Sequence, residues 1–316
     1  MRTLLWNLSY GIRAMRKNRG LTAAVIATLT LGIGATTAIY TVVYATLVAP
    51  LPYPDPNQLV IIWSKVNGHN NGISAGDFLD WQRQNTSFQQ VAAWTGASFN
   101  LATPDQPEQL DGRLTSPGWF HLQGMPFLMG RDFLPEEGIP GKSHVVILTH
   151  KLWNRLGADH NIIGKTMRVN SADYTVVGVL SPGVADRLGT ELAAPLAFTP
   201  EQINHEYHWL LAMGRMKPGV TMQQAQADMD AVTSHIAAAY PTSNKGWGAA
   251  VEPLKNDFLP PDRIHNLWLL LGAVAFVLLI TCVNIANLLL AKGAGRYREI
   301  AAARWEPHTA RSSANF

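Results

Sequence analysis

The sequence predicts an α+β domain, built from a split-βαβ-like lobe with an inserted β-rich lobe, held between two transmembrane α-helices. Three observations predict it. Two uncharged apolar runs of span length occur at 21–43 and 267–291. A surplus of basic residues is confined to the two ends of the chain. Between the runs, short strand-like and helix-like segments alternate.

Composition removes several classes at the outset. The chain has 316 residues, of which 47% are apolar, 15% charged and 9% aromatic, near globular averages, so disorder, collagen and coiled coil are excluded. A single cysteine, Cys282, excludes an intramolecular disulfide framework and a cysteine-based zinc site. Residues 1–20 hold five bases (Arg2, Arg13, Arg16, Lys17, Arg19) and no acid. Residues 292–316 hold Lys292, Arg296, Arg298, Arg304 and Arg311 against Glu299 and Glu306, which leaves fifteen bases and twenty acids between the ends. The folded middle is therefore acidic, and the basic balance of the whole chain does not point to nucleic acid.

Leu4, Leu8, Ile12 and Met15 recur at helical spacing over 1–20 with bases at the C-terminal side, which predicts a helix lying in the cytoplasmic interface. The run at 21–43 is 23 residues long and that at 267–291 is 25, each enough to cross roughly 30 Å of hydrocarbon as a helix. The first exceeds the roughly 7–15 residues of a signal-peptide apolar region and is expected to stay as an anchor. Bases at the outer ends of both runs predict cytoplasmic termini and an outside domain over 52–265. Ala24, Thr28, Gly32 and Thr36 share one face of the first helix, and Asn284 and Asn287 lie three apart on the second; these are the candidate helix-packing residues. An ion or proton pathway is the competing reading, but neither run holds an ionisable carrier.

The proline-dense PLPYPDP at 50–56 ends the first helix. A strand at 59–63, a helix at 74–84 with Ser74 as N-cap and Asp77 in its first turn, and a strand at 91–94 make one βαβ-like unit. A strand at 209–216, a Pro218-Gly219 turn, a helix opened by the Thr221/Gln224 capping box and running to 240, and a strand at 249–254 make another. Met222, Ala225, Met229, Val232 and Ile236 form the apolar face of that helix. The two units are expected to pair as one split-βαβ lobe, about 57–104 and 201–256. The stretch from about 105 to 200, with a strand at 145–148, a short helix near 151–156 and a hairpin at 166–170 and 174–180 turning on Asn170-Ser171, is expected as a second lobe.

No catalytic, cofactor or metal site is predicted. Gly164-Lys165-Thr166 mimics the end of a phosphate loop, but Asp159 stands where that loop needs glycine, and a strand follows in place of a helix N-terminus. His205, Glu206 and His208 lack the four-apart histidines of a zinc helix and are expected in a solvent-facing loop. Glu136-Glu137 is likewise expected to face solvent. No G-x-S-x-G elbow occurs.

Several blocks, in order, resemble MacB-type (MacB/FtsX-like) permeases of ABC transporters: LTLGIGATTAIYTVVYATLVAPLPYPDPNQLV (29–60), TSPGWFHLQGMPFLMGRDF (115–133), YTVVGVLSPG (174–183), MKPGVTMQQAQADM (216–229) and LLLGAVAFVLLITCVNIANLLLAKGAGRYREIA (269–301). The resemblance implies a bacterial inner-membrane permease subunit with a periplasmic core domain between the first two of four spans. It implies a non-enzymatic mechanotransmitter that pairs with a cytoplasmic P-loop ATPase, acts as a dimer in lipid and works with a periplasmic adaptor. Arg296, Arg298, Glu299 and Ile300 match the start of the family's ATPase-coupling segment. After Ala303 the chain departs from the family pattern with RWEPHTARSSANF, as a frameshifted or prematurely ended gene would. Two other classes compete. A two-span sensor needs a cytoplasmic signalling domain larger than 292–316, and a membrane-anchored hydrolase needs a catalytic set the sequence does not present.

Overall fold

A computed structural model describes residues 19–44, 51–102, 107–183, 189–258 and 261–303, with the side chains of 21, 257–263, 288–289 and 291–303 left out. The expected interfacial helix over 1–20, apart from its last two residues, and the tail beyond 303 lie outside the described residues. In chain order the elements are α1 (Arg19–Val43), β1 (Leu59–Val66), β2 (His69–Asn71), α2 (Ala75–Gln84), β3 (Phe88–Leu101), β4 (Glu108–Thr115), α3 (Trp119–Gln123) and β5 (Phe127–Gly130). Then come β6 (Val145–Leu148), α4 (His150–Arg155), β7 (Thr166–Val169), β8 (Ala172–Leu180), β9 (Leu192–Pro195), β10 (Leu211–Met216), α5 (Met222–Ala239) and α6 (Pro241–Asn244). The chain closes with β11 (Trp247–Pro253), α7 (Leu254–Phe258) and α8 (Pro261–Ala303). Two compact units result: one, within 1–49 and 259–316, holds α1 and α8, and the other, within 50–258, is a mixed α/β head.

In the head one sheet runs in the order β11-β1-β10-β3-β4-β9-β6-β8-β5. At its first end β1 pairs antiparallel with both β10 and β11, and β10 pairs antiparallel with β3. The β1-α2-β3 and β10-α5-β11 units are thus interleaved, each lending a strand to fill the gap in the other. Helices α2 and α5 cover one face, where Val60, Ile62, Phe78, Trp81, Ala212, Met229, Val232 and Ile236 form one core. The opposite face packs Leu59, Ile61, Trp119, Phe120 and Phe133 into another. Burial on both faces explains why β1 reads as an unbroken apolar run and not as an alternation.

The helix starts follow their caps. Ser74 Oγ accepts from Asp77 N at 3.0 Å, and the Thr221/Gln224 box closes in both directions. The strand pattern stops short of the observed ends: β3 runs to Leu101, β4 is too polar to show, and β5 and β9 are apolar but only four residues long.

Beyond β3 the sheet curls shut. Strands β3, β4, β9, β6 and β8 follow one another, β8 pairs with β7, and β7 returns to β3 through Leu101↔Val169, so six strands close a small barrel. Ala102 N donates to Arg168 O at 3.0 Å, Asn170 N to Asn100 O at 2.9 Å, and Asn100 N to Asn170 Oδ1 at 2.8 Å, which seals the seam. Asn170 and Ser171, with φ of 51° and 64°, supply the double left-handed turn of the β7-β8 hairpin. Phe99, Leu101, Leu110, Val146, Leu148, Val169, Val176 and Leu192 fill the interior. Gly112 on β4 leaves room for the Phe99 ring, since a Cβ there would lie 2.4 Å from two of its carbons.

In the helical unit α1 and α8 pack along a seam. Thr22, Val25, Thr28, Gly32, Thr36, Ile39 and Val43 are the less exposed positions of α1, and Ile264, Leu267, Leu271, Val274, Thr281 and Ile285 those of α8. The three- and four-residue spacing is that of a two-helix seam. Windows at Thr22–Val43 and Ile264–Asn287 are each long and apolar enough to cross a membrane. At about 1.5 Å per residue, the 43 residues of α8 make a rod of roughly 65 Å.

Candidate functional site

The helix seam holds three of the sequence-predicted packing residues. A Cβ built on Gly32 would lie 3.1 Å from Thr281 Oγ1 and 3.5 Å from Thr281 Cβ, so the backbone of α1 comes against a side chain of α8. Thr28 Oγ1 and Thr36 Oγ1 donate to the carbonyls of Ala24 and Gly32, both at 2.7 Å, which satisfies their hydroxyls within the helix. Ala24, Asn284 and Asn287 stand exposed in the single chain, off the seam. Arg296, Arg298, Glu299 and Ile300 lie on the backbone of the last two turns of α8, past the apolar run.

In the head the densest polar cluster surrounds Asp77, whose side chain is 4% exposed. Its Oδ1 lies 2.8 Å from His205 Nδ1 and accepts from Asn244 Nδ2, also at 2.8 Å. His205 Nε2 faces Asp80 Oδ2 at 3.7 Å, and His208 Nε2 faces Asp77 Oδ2 at 3.7 Å. Each imidazole lies on an aromatic ring, His205 on Tyr240 and His208 on Trp247, with centroids 3.9 Å apart in both pairs. The expectation of a solvent-facing loop at 205–208 is corrected, because the two histidine side chains are only 11% and 12% exposed. Two glycines permit this approach: a Cβ at Gly76 would meet Asn204 O at 2.8 Å, and one at Gly72 would meet Leu210 O at 3.0 Å. The sequence signal was three isolated polar residues, and nothing local tied them to Asp77, 128 positions away.

Glu136-Glu137 requires a similar correction. Glu136 is exposed, but the Glu137 side chain is 9% exposed and takes a two-pronged contact from Arg131 at 2.9 and 2.7 Å, plus the Leu134 amide at 2.7 Å. Burial pushes this carboxyl up, and the Arg131 hydrogen bonds, the Leu134 amide and the Arg131 charge together hold it below its ordinary value. Lys165 of the phosphate-loop mimic pairs with Asp159 at 2.5 Å, and Thr166 opens strand β7, so the segment forms no phosphate cradle.

An open groove of about 490 Å3 lies beside Asp55, Gln58, Gln89, Gln90, His121 and Arg215. Arg215 Nε donates to Leu122 O at 2.7 Å and Nη2 to Pro54 O at 3.2 Å. Burial holds this guanidinium below its ordinary value against the pull of Asp55. Among the described residues no three histidine, cysteine or carboxylate side chains converge as metal ligands. Nor do these clusters align a nucleophile with a base and an orienting group.

With the fold in place, the comparison with family models is decisive. The MacB-like periplasmic core domain matches residues 22–232. The chain belongs to this family. Among solved structures, a domain described as that of a permease protein from Porphyromonas gingivalis superposes with a TM-score of 0.51 at 14% identity, covering 64% of this chain and 93% of that one; the likeness is one of fold. The periplasmic region of MacB from Actinobacillus actinomycetemcomitans gives a TM-score of 0.47 at 16% identity over 62% of this chain and 89% of that one. The extracellular domain of the ABC-type transporter YknZ from Gram-positive bacteria gives 0.45 at 13% identity over 61% and 99%. No curated protein matches by sequence. The chain thus presents a MacB-like periplasmic core domain, with a helix of membrane-span character on either side of it in the sequence.

Proposed function

We propose that this MacB-like chain is the permease subunit of an ABC transporter, set in the bacterial inner membrane with both ends cytoplasmic and the head outside. In this reading a separate P-loop ATPase hydrolyses ATP on the cytoplasmic side, the residues around Arg296 to Ile300 receive its movement, and α1 and α8 carry it to the head of a dimer. The subunit itself catalyses nothing. Export or envelope work, with an adaptor on the outer side, is the use to which the movement is put.

One observation carries the reading. Strand β1 begins and β11 ends side by side, with Val60 paired to Pro253, so the segments joining α1 and α8 to the head enter neighbouring strands at one end of the sheet. Any change in the separation or twist of the two helices is delivered to that single end. The basic residues flanking the outer ends of the two apolar runs support the orientation.

The test expresses the full chain together with a P-loop ATPase of the MacB type and recovers it in mild detergent. The Gly32→Cys/Thr281→Cys pair in a Cys282→Ser background has the Cβ separation of a disulfide, 3.5 Å, and locks the seam. The expected result is recovery of the ATPase, an ATP-dependent change in protease cutting of the head, and loss of that change when the seam is oxidised. Failure to recover an ATPase, or a head that responds equally with the seam locked, refutes the proposal.

A further inference from the structure

The cluster around Asp77 has a hydrogen-bonding logic that the proposed transmission of movement does not use. Its two imidazoles present four nitrogens, and every one faces an oxygen that accepts and does not donate. His205 Nδ1 is 2.8 Å from Asp77 Oδ1 and its Nε2 3.7 Å from Asp80 Oδ2. His208 Nδ1 is 2.9 Å from the Glu206 carbonyl and its Nε2 3.7 Å from Asp77 Oδ2. A neutral imidazole carries one N–H and one lone pair, so in the neutral form each ring turns a lone pair toward an oxygen. The cost is visible at His208 Nε2, which is buried and makes no hydrogen bond.

We propose that His205 and His208 form a proton-operated clasp that ties the 204–210 segment to α2 and β11, tightening when both rings take up a proton. Two imidazolium rings then stand against two carboxylates, Asp77 and Asp80, and the local charges balance. The rings of Tyr240 and Trp247 lie flat against the two imidazoles and fix their planes. Arg83 is a further charged neighbour, 2.9 Å from Asp80 Oδ1 on the exposed side. Asn244, Ser74 and the ring of Tyr240 complete the surroundings of Asp77 and His205 without adding charge at neutral pH. Each ring nitrogen is turned toward an oxygen, and among the described residues no group of three or more such side chains is arranged to hold a metal ion.

Contacts at both ends and in the middle hold the segment. Gly76 N donates to Asn204 O at 2.9 Å and Ile73 N to Leu210 O at 2.8 Å, which hinge the segment at its two ends, while the histidine side chains hold its middle. Loss of the protons leaves the hinges in place and weakens the middle.

The experiment measures thermal unfolding of the full chain in detergent micelles from pH 7.5 to 5.5, the range in which histidines titrate. The wild type is compared with His208→Gln, and with His69→Gln as a control on the exposed strand β2. The expected result is a gap in Tm between wild type and His208→Gln that widens by about 2–4 °C on acidification, as one favourable charge pairing is worth in a unit of this size, while the His69→Gln gap stays flat. Asp80→Asn removes a carboxylate that faces His205 Nε2 and leaves the hydrogen bonds of Asp77 intact; the same widening is expected, so the proposal remains testable if His208→Gln does not fold. A gap that is constant or narrows in acid for the folded variants overturns the clasp.

Discussion

Closure of the barrel depends on an absent side chain, and replacing Gly112 with alanine tests this directly. The added Cβ would fall 2.4 Å from Phe99 Cδ2 and Cε2 and 2.8 Å from the backbone oxygen of Leu192. Turning the ring relieves only the first clash, because Leu192 O belongs to the neighbouring strand β9, which pairs with β4 at that residue. Phe99 is 3% exposed and surrounded by the barrel core, so its ring has little space to move into. Overpacking of this kind costs about 1–3 kcal/mol. Against it stands the gain of about 0.4–1 kcal/mol that Gly→Ala brings by restricting the unfolded chain. Each kcal/mol moves Tm by about 2–4 °C in a unit of this size, so Gly112→Ala is expected to lower the midpoint by several degrees, read by tryptophan fluorescence on heating the full chain in detergent. Adding Phe99→Leu recovers the part due to the ring, and a double-mutant cycle returns a coupling of at least about 0.5 kcal/mol. A Gly112→Ala chain that melts at or above the wild-type temperature shows that the ring does not cover residue 112, and refutes the barrel packing described above.

Three further outcomes follow from other contacts. Glu137 has its carboxyl held below the ordinary value, so its contribution to stability is present above about pH 4.5 and is lost as pH falls through the lowered folded value. Glu137→Gln should therefore destabilise the head at pH 7 and make acid unfolding shallower below pH 4.5; an acid limb identical to wild type counts against the Arg131 pairing. Asp228 on α5 accepts from Thr86 N, Thr86 Oγ1 and Ser87 N, each at 2.8 Å, pinning the turn before β3, and Asp228→Ala is expected to cost about 1.5–3 kcal/mol in urea unfolding, with Asp228→Asn intermediate. Thr221→Ala removes the cap of α5 and should cost about 1 kcal/mol by the same measurement, whereas an effect below about 0.3 kcal/mol would mean the capping box does not support the helix.

The legible and illegible parts of the fold separate by distance along the chain. The Ser74 and Thr221 caps, the Asn170-Ser171 turn and the buried face of α5 each depend on residues within one or two helical turns or a single hairpin, and each is found where the pattern placed it. The interleaving of the two βαβ units was foreseen as a pairing, since both units sat at the ends of the middle segment. The barrel was not foreseen, because its closure joins Leu101 to Val169 and β4 to β9, and β4 is mostly polar while β9 is apolar but only four residues long. The Asp77 cluster was misread for the same reason. His205 and His208 look like loop residues until Gly72 and Gly76 let the segment lie on α2, and Glu137 looks solvated until Arg131 folds over it.

By itself the sequence determined the two apolar helices, the acid-base partition along the chain and the membership of the MacB-like family. Run length against bilayer thickness, charge placement and ordered local motifs are properties a linear chain expresses directly. Only the tertiary structure decided which helix faces meet, that Gly32 lies on Thr281, that six strands close a barrel, and that two histidines come to rest against the buried carboxylate of Asp77, one of them facing the half-buried Asp80 as well. These depend on register and on close approach between residues far apart in the chain, where packing density and the satisfaction of buried polar groups choose among arrangements that local propensity leaves equal.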